Sequence, residues 1–287
     1  MIEFTFEIDM VYRVMDSLLP FAWLGHAFMK NAFLAVLFIT PLFGLLSTMV
    51  VSNRMAFFAD SLGHGAFTGI ALGALVGIFT PRTSLIIFSL AFAFLITYIK
   101  NKSRASTDTV IGVFSSTAIA LGLMLMSRGG NFNKFSSYLI GDILSITPDE
   151  LGALALVFVV VLITWGIIFN KLLLLSINSS WARSRGVNVF AVESFFAALV
   201  AVVVAVSIQW VGILIINSLL VLPAAAARNI TGNVRQYHAL SVIIAMVSGF
   251  SGLILAYYLN MAVGATIVAV AALCFFVTLL LKPQFVK

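Results

Sequence analysis

Asp60 and His64 stand four residues apart inside an apolar run at about 56–79. On a helix this spacing places both side chains on one face. A carboxylate and an imidazole so placed can share one divalent cation, since both donors suit zinc, manganese or iron. The same two groups can instead hydrogen-bond to each other and merely satisfy two buried polar side chains. Gly65, Gly69, Gly73 and Gly77 recur at every fourth position, continued upstream by Ser61, so one stripe of this helix has almost no side chain. Small-residue stripes let membrane helices approach closely. The neighbouring stripe, Asp60, His64 and Thr68, then lies beside a tight helix contact, where a path between helices would need polar donors.

The elements that hold these residues follow from composition. Of 287 residues, 62% are hydrophobic and 9% charged, where a soluble domain has roughly a quarter charged. This excludes a soluble domain. The 26 Phe and 10 Met exclude a disordered chain, which requires low hydrophobicity. Apolar runs at about 31–52, 56–79, 83–99, 109–127, 150–169, 189–208, 210–227, 239–259 and 262–281 are bounded by Gly, Pro, Asn or charged residues. Segments near the ~20 residues of one bilayer crossing must be helices, because each backbone amide has to be satisfied within its own segment. The chain is therefore expected to be all-α and polytopic. Only Gln209 separates the runs 189–208 and 210–227, so one of them can be a re-entrant half-helix, giving eight or nine transmembrane helices.

Residues 1–28 are too polar to span, and the expected division is an N-terminal segment at 1–30, lying along the outer interface or packing as a short amphipathic helix, and a transmembrane domain at 31–287. Glu3, Glu7, Asp9 and Asp16 give this segment the wrong charge for a cleavable signal. The net charge of +6 comes from cations between the apolar runs, which mark topology and do not form a nucleic-acid patch. With nine crossings, one set of loops holds eleven of these cations, among them Arg54, Lys100, Lys171, Arg183 and Arg228. The other set and the N-terminal segment hold five: Arg13, Lys30, Arg82, Arg128 and Lys134. The bias puts the first set and the C-terminus in the cytoplasm. The single Cys274 rules out an intrachain disulfide and a thiolate metal cage.

The longest polar stretch between the runs, Ser176–Gly186, reads as a short helix along the membrane or as an ordinary loop. His26 and His238 fall at the edges of runs, and Asp108, Asp142 and Glu193 at run ends or in loops. Ser115, Ser116 and Thr117 are expected to bond back to their own helix. Asn217 and Ser218 before Pro223 mark either a broken helix or a kink without function. None of the seven lysines follows a glycine, so the chain has no P-loop, and any ATP-driven step needs a motor on another subunit. Hydrolase motifs are absent, and the chain is not expected to be an enzyme.

Four blocks, taken together, resemble the integral-membrane subunits of bacterial zinc/manganese/iron ABC uptake transporters. They are Asn53-Arg-Met-Ala-Phe-Phe-Ala-Asp60-Ser-Leu-Gly-His64 and on to Gly73, Thr107-Asp-Thr-Val-Ile-Gly112, Tyr138-Leu-Ile-Gly-Asp142-Ile-Leu-Ser-Ile-Thr-Pro148 and on to Leu151, and Val211 through Pro223 to Arg228. The likeness runs from about residue 31 to the C-terminus, and is closest to zinc permeases of the ZnuB type. It implies the ABC importer permease fold, a homodimer in the bacterial cytoplasmic (inner) membrane, a cytoplasmic ATPase dimer that binds ATP, and a periplasmic or extracellular metal-binding protein. It places Asp60 and His64 on the metal path, with the transported ion, zinc first, as cargo and no resident cofactor. It makes the segment near 176–187 a coupling helix, with Asn178, Trp181, Arg183, Arg185 and Gly186 meeting the ATPase. Two departures stand out: some zinc members have histidine where this chain has Ser116, and the coupling segment usually has an acid where Asn178 or Ser179 stands.

Overall fold

The computed structural model describes residues 2–19, 21–77, 80–129 and 141–285. Lys134 and Lys287, two of the topology-marking cations, and Tyr138, Leu139 and Ile140 of a quoted block lie outside them. The described residues form eleven α-helices and two short 3-10 helices, with no strand among them. They are α1 (Ile2–Leu18), α2 (Ala27–Ser52), α3 (Ala56–Val76), α4 (Pro81–Lys102), α5 (Thr107–Gly129), α6 (Pro148–Ile177), α7 (Ser179–Ser184), α8 (Val189–Val211), α9 (Ile213–Ile230), α10 (Val234–Leu259) and α11 (Val263–Phe285). The chain is all-α and polytopic, as composition requires.

Local chemistry sets the ends of these helices. Thr80 accepts from the Thr83 amide ahead of Pro81, and Thr147 and Glu150 form a reciprocal capping box around Pro148. Asn178, Asn188 and Asn233 cap α7, α8 and α10 through their side-chain oxygens. Each cap satisfies amides that the first helical turn leaves without partners.

Each of the nine apolar runs becomes one helix. Seven of these, α2, α4, α5, α6, α8, α10 and α11, are long and apolar enough to cross a membrane; α9 is the shorter apolar one. The ninth run becomes α3. The first run starts earlier than its composition suggests, at Ala27, because Lys30 is buried within α2 with its ammonium 2.7 Å from Asp16 of α1.

The break between the two closely spaced runs is at Gly212, not at Gln209, which lies inside α8. Gly212 has φ 87°, a conformation that glycine reaches at no steric cost. Pro223 sits inside a continuous α9, so the broken helix admitted at Asn217–Pro223 is not found there. The 141–146 segment lies against the Gly212 break: the Asp142 amide donates to Gln209 O at 3.3 Å, and a β-carbon on Gly141 would collide with the backbone of Val211 and Gly212.

α3 is packed between α4, α5, α8 and α9, while α2 packs against α6, α9 and α10. Where α2 crosses α10, a β-carbon on Gly44 would stand 2.7 Å from Val242 Cα, and the buried Ser47 and Ser241 hydroxyls meet at 2.9 Å. α2 and α10 are thus held together by close backbone approach and a buried hydroxyl pair.

Candidate metal path

Asp60 and His64 are brought together in the first turns of α3. His64 Nε2 lies 3.5 Å from Asp60 Oδ1, and the side chains are 27% and 38% exposed respectively. Both are thus reachable from outside the chain's own core. Four residues further along the stripe, the buried Thr68 hydroxyl donates to the Ala118 carbonyl of α5. The polar stripe therefore faces α5.

The glycine stripe faces α4. A β-carbon on Gly65 would stand 3.1 Å from the Phe92 ring, one on Gly69 would stand 2.7 Å from Phe88 Cβ, and one on Gly73 would overlap Ser84. Phe88 and Phe92 stack with ring centroids 5.5 Å apart, and Phe92 meets Phe114 of α5 edge-on. Glycine on this side of α3 lets two phenylalanines of α4 press against the helix backbone. Gly63 makes a similar approach to Ile213, the first residue of α9.

Gly77 differs from the expectation that it packs with the other three. It has φ 69° and open space around it, and as the left-handed cap of α3 it closes the helix by donating to Gly73 O. Its spacing continues the stripe only because the helix ends there.

No group of three or more His, Cys, Asp or Glu gathers among the described residues. Asp60 and His64 therefore offer one carboxylate oxygen and one imidazole nitrogen, which leaves most of a cation's coordination sphere open. A closed set of four strong ligands defines a structural site; two donors suit an ion that arrives and leaves. Ser61, on the same turn, has a buried hydroxyl without a hydrogen-bond partner among the described residues.

Several other sequence-derived candidates fall elsewhere. Thr117 bonds back to Val113 O at 2.8 Å. His26 forms the N-terminal boundary of α2 and stacks on Phe28. His238 Nδ1 lies 2.8 Å from Val234 O, and its ring is ringed by Trp165, Phe169 and Tyr237. Ser179–Ser184 is helical, so the polar stretch takes the short-helix alternative: Asn178 caps it, Trp181 is exposed, Arg185 lies with its guanidinium 5.3 Å from the Trp181 ring centroid, and Gly186 follows with φ 78°.

A second polar cluster leaves no mark in the residue pattern. Trp210 Nε1 donates to Glu150 Oε2 at 3.4 Å, while Arg82 lies over the same indole. These three residues come from α4, α6 and α8. Their separations in sequence follow no helical period.

The fold is that of a multi-pass membrane permease of the ABC importer kind. The model of the ABC 3 transport family matches residues 25–282, and the chain belongs to that family. The high-affinity zinc uptake system membrane protein ZnuB of Buchnera aphidicola is 31% identical over 251 residues, 87% of this chain and 96% of that protein. The manganese import system permease protein ScaB of Streptococcus parasanguinis is 30% identical over 257 residues, 90% of this chain and 91% of that one. Among solved structures, PsaBC from Streptococcus pneumoniae in complex with Fab superposes with a TM-score of 0.77 at 27% identity, covering 93% of this chain and 95% of that chain.

Proposed function

We propose that the chain is the permease of an ATP-driven importer that moves a divalent metal ion, zinc, from a solute-binding protein across the bacterial cytoplasmic membrane. The observation that carries this is the Asp60–His64 pair, a carboxylate and an imidazole 3.5 Å apart and partly exposed on a helix packed against four others in the bundle. Intramembrane ionisable pairs are costly and are kept where they serve a path. The pair binds the ion in passing, the permease works as a homodimer, and two ATPase subunits on the cytoplasmic side drive alternating access. α7, with Asn178, Trp181, Arg183, Arg185 and Gly186, is the coupling helix that docks on the ATPase. α1, with Met10, Val14 and Leu18 exposed, lies along the outer interface.

The second cargo is manganese, supported by the ScaB relative at nearly the same identity as ZnuB. Imidazole favours zinc, and carboxylate tolerates manganese. The test is uptake of radioactive zinc and radioactive manganese into cells expressing the chain with its ATPase and binding protein. Zinc uptake that excess manganese does not suppress supports the proposal. Manganese uptake that excess zinc does not suppress transfers the cargo, and uptake without any ATPase would replace the importer with a secondary carrier.

A further inference from the structure

The turn between α2 and α3 has a backbone arrangement that ordinarily selects glycine. Arg54 has φ 56°; its amide donates to Val51 O at 3.2 Å, and the Met55 amide donates to Val50 O at 2.8 Å. This is the Schellman pattern of a helix C-terminus, and its left-handed residue is usually Gly because a β-carbon crowds the following carbonyl. An L-residue held in that conformation points to a use for its side chain.

Arg54 is exposed and forms no ion pair among the described residues. It borders a polar cleft of about 430 Å³, shared with Ser52, Asn53, Ser176, Asn178 and Glu193. The cleft thus joins the α2–α3 turn to the start of α7. Its one carboxylate is already paired, since Glu193 accepts from Lys100 at 3.0 Å and from Asn101 at 2.7 Å. Arg183 and Arg185 stand exposed on α7 and its C-terminal boundary. The other acids near this end are Asp60, which faces His64 in the first turns of α3, and Asp108, in the first turn of α5. The cleft therefore presents an unbalanced guanidinium.

We propose that this cleft receives an acidic side chain of the ATPase subunit, with Arg54 as its charge partner. The inference rests on the importer reading above. Charge complementarity selects the occupant: a planar guanidinium fork matches a carboxylate in two parallel hydrogen bonds. Arg54 is joined to α3 through Met55 alone, so a partner that grips it holds the N-terminus of the helix that carries Asp60 and His64. α7 and Arg54 then form two walls of one socket, which ties ATPase movement directly to the metal path.

The test uses the whole transporter with its ATPase and binding-protein subunits, in detergent and again in vesicles containing anionic lipid. Arg54→Gly removes the guanidinium and relieves the left-handed conformation, Arg54→Glu reverses the charge, and Arg54→Lys keeps it. The expected result is that Arg54→Gly unfolds no earlier than the wild type, yet binds the ATPase about tenfold more weakly and loses cargo-stimulated ATP hydrolysis by a similar factor. Arg54→Glu is weaker still, Arg54→Lys recovers part of the loss, and the wild-type affinity falls more steeply with salt than that of Arg54→Gly. Wild-type coupling in both Arg54→Gly and Arg54→Glu overturns the proposal. So does a defect confined to anionic-lipid vesicles, which would assign Arg54 to a lipid headgroup. A wild-type chain that assembles with no ATPase overturns the importer reading itself, a failure distinct from that of the variants alone.

Discussion

His64 Nε2 and Asp60 Oδ1 are 3.5 Å apart on consecutive turns of α3, and no third His, Cys, Asp or Glu joins them among the described residues. A two-donor site loses half of its ligands to one substitution. His64→Ala and Asp60→Ala are each expected to lower the transport rate at low cargo concentration by at least about tenfold, the equivalent of about 1.4 kcal/mol of lost binding. Thermal unfolding should move little, because both side chains are partly exposed. Uptake and melting measured on the same preparations separate the two effects.

The glycines of α3 divide into two kinds. Gly69 lies against Phe88, where an added β-carbon would be 2.7 Å from the Phe88 β-carbon. Gly69→Val is therefore expected to destabilise the bundle by about 1–3 kcal/mol through overpacking. Gly77→Ala meets open space and should cost only the left-handed backbone penalty of about 1–2 kcal/mol, with Gly77→Asn milder. Unfolding in detergent ranks the three; equal losses at both positions would show that packing on α4 does not depend on Gly69.

Gly141 combines φ 73° with close approach to the backbone of Val211 and Gly212. Gly141→Ala cannot be relieved by rotating a side chain, since the obstacle is backbone. The expected outcome is a loss of about 2–4 kcal/mol, backbone strain and overpacking together. Faster proteolysis within 141–147 would report the displaced segment, and a cleavage rate equal to the wild type would contradict it.

Lys100 and Glu193 join the C-terminal turn of α4 to the N-terminal turns of α8, with side chains 19% and 13% exposed. Asn101 binds the second carboxylate oxygen. Glu193→Gln is expected to cost about 2 kcal/mol, as for hydrogen bonds to a charged group. A double-mutant cycle with Lys100→Met on unfolding free energies measures the coupling, and a coupling near zero would show that the pair holds nothing.

Much of this architecture can be read from residue types. Nine apolar runs become nine helices, since apolar length and the need to satisfy backbone amides leave no alternative. The Asp60–His64 pair follows from its spacing, because i, i+4 is geometry within one helix. What escapes is what depends on dihedral angles or on distant partners. Gly212 breaks the chain three residues beyond the polar Gln209 because a positive φ leaves no mark in composition. Gly77 extends a packing stripe in sequence but caps the helix in space. Lys30 begins to look buried only once Asp16, on another helix, is seen beside it. Arg54 reads as one topology-marking cation among eleven until its left-handed backbone is known.

The most direct measurement is total cellular metal by mass spectrometry, in metal-starved cells that lack their own uptake systems and express this chain with its ATPase and binding protein. Intact protein, His64→Ala and Asp60→Ala are compared at matched membrane levels. Selective recovery of zinc by the intact protein alone is the expected result. Equal zinc recovery by both variants would contradict the role given to Asp60 and His64, and recovery of no metal by the intact protein would contradict the importer itself.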